Sequence, residues 1–191
     1  MQPPNQASTE TGVDTLPGIA HIVLLGLMGT GKSTVGRLVA SRLGRPFRDS
    51  DLEIEARLGR TVREIAAAEG DEAMHDIEAA QLLGALLAPG PDVLAAAASI
   101  ADRPECLDAL RGPGIAAVWL DVDPAIAAAR FDSRAHRPRF GDDPAVFLAA
   151  QRAARGPKFR SVAKVVLDGS HATPDALADL LLRRLADPAG G

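Results

Sequence analysis

The sequence predicts a three-layer α/β fold, in which a five-stranded parallel sheet is covered by helices on both faces. Three observations carry this expectation. Short apolar runs alternate with longer segments of helical spacing, those segments mostly open on proline or close on glycine, and each Ala- and Leu-rich stretch carries regular charges. The last point leaves no stretch of about 20 apolar residues, the length a membrane-spanning helix needs.

The elements follow in order. His21 to Leu25 is a compact apolar run ending at Gly26 and reads as the first strand. Lys32 to Leu43, closed by Gly44, is the first helix, and Pro46-Phe47-Arg48 the short second strand. Asp51 to Leu58 closes on Gly59, and Thr61 to Ala88 is helical with a break near Gly70. Val93 to Ala97 supplies the third strand and Ile115 to Val122 the fourth, with a helix from Pro104 to Leu110 between them. Pro124 to Phe131 and Pro144 to Ala154 are helices with proline at the first helical position. Ala163 to Leu167 is the fifth strand, and Pro174 to Leu185 the last helix.

At 191 residues and 47% hydrophobic, the chain can bury one substantial core but not two. One domain is expected over 19–186, with polar tails at 1–18 and 187–191 that lack the apolar surface to offset the entropy of ordering. A net charge of -4 excludes a surface built to neutralise many nucleic-acid phosphates. Cys106 is the single cysteine, so neither an internal disulfide nor a cysteine zinc site can form. The start of the chain has no basic segment followed by an apolar run. The expected setting is cytoplasmic, as a monomer with no nucleic acid or membrane partner.

The first strand runs into Gly26-Leu27-Met28-Gly29-Thr30-Gly31-Lys32-Ser33, which meets the P-loop pattern at every fixed position. Glycines let backbone N–H groups converge on a pyrophosphate, and the helix that follows offers its positive end. Lys32 supplies a point charge for the outer phosphates, and the Ser33 hydroxyl suits Mg²⁺. Gly29, Thr30, Gly31, Lys32, Ser33 and Thr34 are therefore the expected ATP-binding residues. The competing reading, a glycine turn with an incidental lysine, leaves the full pattern between strand and helix unexplained.

Three further groups are candidates. Asp49-Ser50-Asp51 closes the second strand, and its two carboxylates at period-two spacing point the same way beside the metal; a helix N-cap with a solvated acid is the plainer alternative. Arg130 and the run Arg134 to Arg139 form a dense basic cluster before Gly141-Asp142-Asp143, either a flexible phosphate-gripping segment or a solvated loop. Arg155 opens Arg155-Gly156-Pro157-Lys158-Phe159, and Pro174 follows the last strand.

Taken together over residues 21 to 186, these motifs resemble the shikimate kinase family of P-loop kinases acting on small metabolites. The resemblance implies a strand order of 2-3-1-4-5, ATP and Mg²⁺ as cofactors, a small hydroxyl-bearing acceptor, and a place in aromatic amino acid biosynthesis. It implies that Asp49 acts on the Mg²⁺ hydration shell and that Asp51 holds and helps deprotonate the acceptor hydroxyl. Residues at about 132–143 match the family's lid, in which Arg137 would reach the transferring phosphate, while Arg130 would stack on adenine beside Pro174. Arg155 matches the arginine that binds the acceptor's carboxylate.

The chain departs from the family at two acceptor positions. Met74-His75-Asp76-Ile77-Glu78 stands where the family has Phe-Arg-Arg-Ile-Glu, so that His75 replaces a gripping arginine and offers at most one hydrogen bond instead of a bidentate fork. Ala97-Ala98-Ser99 replaces Gly-Gly-Gly, and Ala95 replaces a hydroxyl residue. A Cβ in left-handed backbone costs about 1 to 2 kcal/mol, so the loop is expected to take another path. Losing one charge-assisted contact lowers acceptor affinity roughly 10- to 100-fold, which makes shikimate a poor expected acceptor. The expected activity is transfer of the ATP γ-phosphoryl group to a hydroxyl of shikimate or of a related polyhydroxylated acid or cyclitol. The alternative from another class is a degenerate nucleotide-binding regulatory protein.

Overall fold

The structure, a computed structural model, describes residues 16–130 and 143–187. Five parallel strands form one sheet: β1 (His21–Leu25), β2 (Phe47–Asp49), β3 (Asp92–Ala95), β4 (Ile115–Asp121) and β5 (Val165–Asp168), in the order β2-β3-β1-β4-β5. This is the expected architecture and strand order. The central strands bury alternate side chains on opposite faces, which is why they read as unbroken apolar runs. Val23 and Leu25 of β1, with Ala117 and Trp119 of β4, enter one core cluster; Ile22 and Leu24, with Val118 and Leu120, enter the other.

The second of these clusters is covered by α1 (Lys32–Leu43) and by a C-terminal helix, Pro174–Ala186. On the other face lie α2 (Ser50–Leu58), α3 (Val62–Glu69), α4 (Asp71–Leu87), α5 (Pro104–Leu110), α6 (Pro124–Arg130) and α7 (Pro144–Val162); Pro174–Ala186 is therefore α8. A capping box between Thr61 and Glu64 starts α3, and Gly70 separates it from α4. Ile54, Val62, Ile65 and Met74 form a small satellite core that holds α2, α3 and α4 together.

Several element boundaries shift by one residue from expectation, and four differences have a structural cause. The Gly156-Pro157 pair reads as a helix end, yet α7 continues through Pro157 to Val162. Burial overrides the local signal: Phe159 and Val162 lie in the core, and buried Gly156 packs where an added Cβ would stand 3.5 Å from the Trp119 ring. As α7 absorbs the residues up to 162, β5 starts at Val165 and not at Ala163. β3 stops at Ala95 because the chain turns into a 3-10 helix at Ala98–Asp102. Packing also begins before residue 19, since Leu16 is buried against the β1, α1 and α8 side.

Among the described residues, no helix is long and apolar enough to cross a membrane. Cys106 is fully buried, and burial pushes its thiol up to about 11, so it acts as a small core residue and not as a nucleophile.

Candidate active site

The loop between β1 and α1 is fixed by contacts that only glycine allows. Gly29 has φ of 73°, and a Cβ there would fall 2.1 Å from the Ala127 carbonyl oxygen of α6. Thr30 is buried and donates to the Leu27 carbonyl over 2.8 Å, which closes the loop on itself. Gly31 forms the N-cap of α1 in left-handed geometry, so the first N–H groups of that helix face the loop. Lys32 extends back across the turn, its Nζ donating to the carbonyls of Gly26 and Leu27 at 2.9 and 3.0 Å.

The carboxylates at the end of β2 meet this loop. Ser33 Oγ donates to Asp49 Oδ2 over 2.6 Å, while Asp49 Oδ1 accepts from the Asp51 backbone N–H at 3.2 Å. Asp49 therefore has two partners at once: one oxygen caps α2, and the other faces the Ser33 hydroxyl. A hydroxyl and a carboxylate oxygen form a hard-donor pair suited to Mg²⁺, which usually keeps several waters and takes phosphate oxygens to complete its shell. Among the described residues, no cluster of three or more His, Cys, Asp or Glu is placed to hold a metal.

Lys32, Ser33, Thr34, Asp49 and Asp51 share one cleft of about 690 Å³, whose lining also includes Gly29, Thr30, Gly31, Arg130 and Pro174. Arg130 is placed by its fork, which donates to the carbonyls of Gly169 and Ser170 at 2.9 and 2.8 Å and ties the end of α6 to the turn after β5. Arg137 and most of the expected lid fall outside the described residues.

The acceptor candidates are arranged differently. Neither His75 nor Arg155 is among the described lining residues of the cleft. His75 is partly buried on α4. Arg155 of α7 turns to Asp102, with Nε and Nη2 at 2.8 and 2.7 Å from Oδ2, and Lys158 Nζ meets Oδ1 of the same carboxylate at 2.7 Å. Burial pushes the Asp102 carboxyl up, but hydrogen bonds from Lys158 and Arg155 outweigh it and hold the group below its ordinary value.

The loop after β3 is accommodated without backbone strain. Ala97 is extended at φ of -63°, and no described non-glycine residue has a positive φ. Ser99 is buried and its hydroxyl donates to the buried carboxylate of Glu78. Sequence reasoning gave no role to this pair, nor to Arg37 and Glu55, which also line the cleft. Helical spacing carried a signal for the latter two: Arg37 lies four residues after Ser33 on α1, and Glu55 four after Asp51 on α2, each on the face that meets the cleft.

The shikimate kinase family model matches residues 28–186. The chain belongs to the shikimate kinase family. It is 40% identical over 165 residues to the shikimate kinase of Symbiobacterium thermophilum, covering 84% of this chain and 94% of that one. It is 37% identical over 172 residues to the shikimate kinase of Dechloromonas aromatica, covering 90% and 93% of the two chains. The fold matches a shikimate kinase from Acinetobacter baumannii solved in complex with shikimate, with a TM-score of 0.84, 28% identity, and coverage of 91% of this chain and 96% of that one. As a member of the shikimate kinase family the protein is an ATP-dependent small-molecule kinase, a phosphotransferase with an alcohol acceptor. The reading as a degenerate regulatory protein is not favoured.

Proposed function

We propose that the protein transfers the γ-phosphoryl group of Mg-ATP to a hydroxyl of shikimate or of a related polyhydroxylated acid or cyclitol, acting as a cytoplasmic monomer. The observation that carries this reading is the meeting of Lys32, the Ser33–Asp49 pair and Asp51 in one cleft. A nucleotide-binding module needs the first two; the additional carboxylate of Asp51 gives the cleft a group able to receive an acceptor's proton.

In this reading, N–H groups of the loop from Gly26 and of the start of α1 bind the donor's phosphates, and Lys32 adds full positive charge. Ser33 and Asp49 would hold Mg²⁺, which would supply charge neutralisation at the phosphates. Asp51 orients the acceptor hydroxyl and takes its proton as the new O–P bond forms. Arg130 and Pro174 flank the adenine side, and Arg137 serves the transferring phosphate. Asp51, His75 and Arg155 serve the acceptor, Asp51 from the lining of the cleft itself.

The test is ADP release from Mg-ATP across shikimate, related hydroxy acids, cyclitols and nucleotides. Acceptor-dependent ADP formation with a hydroxylated acid or cyclitol is expected. Turnover confined to nucleotide acceptors, or none with any acceptor, overturns the proposal.

A further inference from the structure

The chain leaves the cleft at Ala95 and Ala96, which line it, and then forms the 3-10 helix Ala98–Asp102. Three residues of this segment tie it to two long helices. The Ser99 hydroxyl donates to the Glu78 carboxylate of α4. Arg103 Nη2, just past the 3-10 helix, stands 2.7 Å from both Glu72 Oε1 and Asp76 Oδ1 of the same α4. Asp102 takes Arg155 Nη2 and Lys158 Nζ of α7, each at 2.7 Å. His75 lies between Glu72 and Asp76 along α4 and one turn before Glu78, so the segment grips the turn that carries His75. It also holds Arg155, and the two acceptor candidates therefore share one brace.

The ties are unequal. Glu72 and Asp76 are 78% and 70% exposed, and ion pairs in contact with water contribute little. Ser99 and Glu78 are buried, where a hydrogen bond to a carboxylate is strong and its geometry well defined. Ser99 also stands where the family pattern has glycine, which has no side chain to make this bond.

From this arrangement we propose that Ser99 is a positioning residue for the acceptor: its bond to Glu78 fixes the spacing between the His75 turn of α4 and the segment that holds Arg155. The inference rests on the kinase reading above, in which His75 and Arg155 serve the acceptor. Ser99 is not among the described lining residues of the cleft, so it acts through the groups it places. Without the bond those groups shift relative to each other, and a misplacement of about 1 Å costs up to about a hundredfold. Donor-side residues of the cleft stand on the loop after β1, α1, α6 and α8 instead, so Mg-ATP binding does not depend on Ser99.

The experiment measures ADP release with shikimate as acceptor, and the thermal midpoint, for the parent, Ser99→Ala and Ser99→Thr. In Ser99→Ala the KM for shikimate should rise at least about tenfold, while kcat and the KM for Mg-ATP change by less than about threefold. Ser99→Thr keeps the hydroxyl and should stay within about threefold of the parent in all three constants. A bond that only stabilises the fold gives another pattern, a lower midpoint and a lower kcat with both KM values unmoved. That pattern overturns the inference, as does an unchanged KM for shikimate in folded Ser99→Ala, or an equal rise in Ser99→Thr. Should Ser99→Ala fail to fold, Glu78→Gln weakens the same bond from its other end and should raise the KM for shikimate alone; an unmoved value overturns the inference. Each of these results leaves the kinase reading intact. Absence of shikimate-dependent ADP release in the parent overturns the inference, and together with no Mg-ATP shift of the thermal midpoint it overturns the kinase reading as well.

Discussion

Ser33 Oγ and Asp49 Oδ2, 2.6 Å apart, join the first turn of α1 to the N-cap of α2. One contact therefore couples the phosphate loop to the segment that carries Asp51. Because Asp49 serves two partners, substitutions separate its roles. Asp49→Asn keeps an oxygen for the Asp51 N–H and so retains the cap, but loses the charge that suits a metal. Its activity should fall at least about tenfold at limiting Mg²⁺, with a thermal midpoint close to the parent's. Asp49→Ala should lose in addition about 1 kcal/mol of stability with the cap. In a double-mutant cycle, Ser33→Ala and Asp49→Asn should be non-additive, since each removes the same pair. Additive losses would separate the two residues functionally.

Lys32 Nζ donates to the loop carbonyls of Gly26 and Leu27, so its side chain lies along the phosphate loop and outside the core clusters. Lys32→Ala should therefore fold with a near-parental midpoint while losing roughly a hundredfold or more in turnover. Millimolar Mg-ATP should raise the midpoint of the parent, because a ligand of the native state stabilises by mass action, and the shift should shrink in the variant. Equal shifts and equal turnover in both proteins would sink the phosphate-loop assignment.

The role proposed for Arg137 rests on its place in the family pattern. Arg137→Ala should lower kcat more than it weakens Mg-ATP binding, since an arginine fork matters most as charge redistributes around the transferring phosphate. Single-turnover rates and equilibrium ATP affinity, measured on the one variant, separate this from a general phosphate contact. Loss of affinity alone counts against the catalytic role.

The parts of this molecule that were legible in its sequence are those where local rules and burial agree. The P-loop pattern, glycine caps at Gly44 and Gly59, and proline starts at Pro104, Pro124, Pro144 and Pro174 all mark observed elements. The end of α7 was not legible, because the Gly156-Pro157 break is overridden by burying Phe159 beside Trp119, a contact between distant segments. Asp102 was equally hidden: Arg155 and Lys158 lie 53 and 56 residues away along the chain, and no local spacing links them. Nor does anything near Ser99 announce that its hydroxyl meets Glu78 across 21 residues.

Asp102 gives a prediction on stability that is independent of any acceptor. Its carboxyl is held below the ordinary value of 3.8; burial opposes this, but Lys158 and Arg155 prevail. A carboxyl whose pKa is depressed on folding contributes stability above its unfolded value, and loses that contribution as pH falls through the folded value. The stabilising effect of the Arg155–Asp102–Lys158 cluster should thus be complete at neutral pH and fade below about pH 3.8. Asp102→Asn removes the charge and leaves two cations facing each other, so its thermal midpoint should lie below the parent's at pH 7. The gap should hold from neutral pH down to about pH 3.8 and narrow as the pH is lowered further through the folded value, because the parent's own carboxyl becomes protonated and the two proteins converge. Thermal midpoints of both, taken across that range at constant ionic strength, decide the matter: a gap that stays constant, or widens in acid, would show that the cluster does not stabilise the fold through the charge of Asp102.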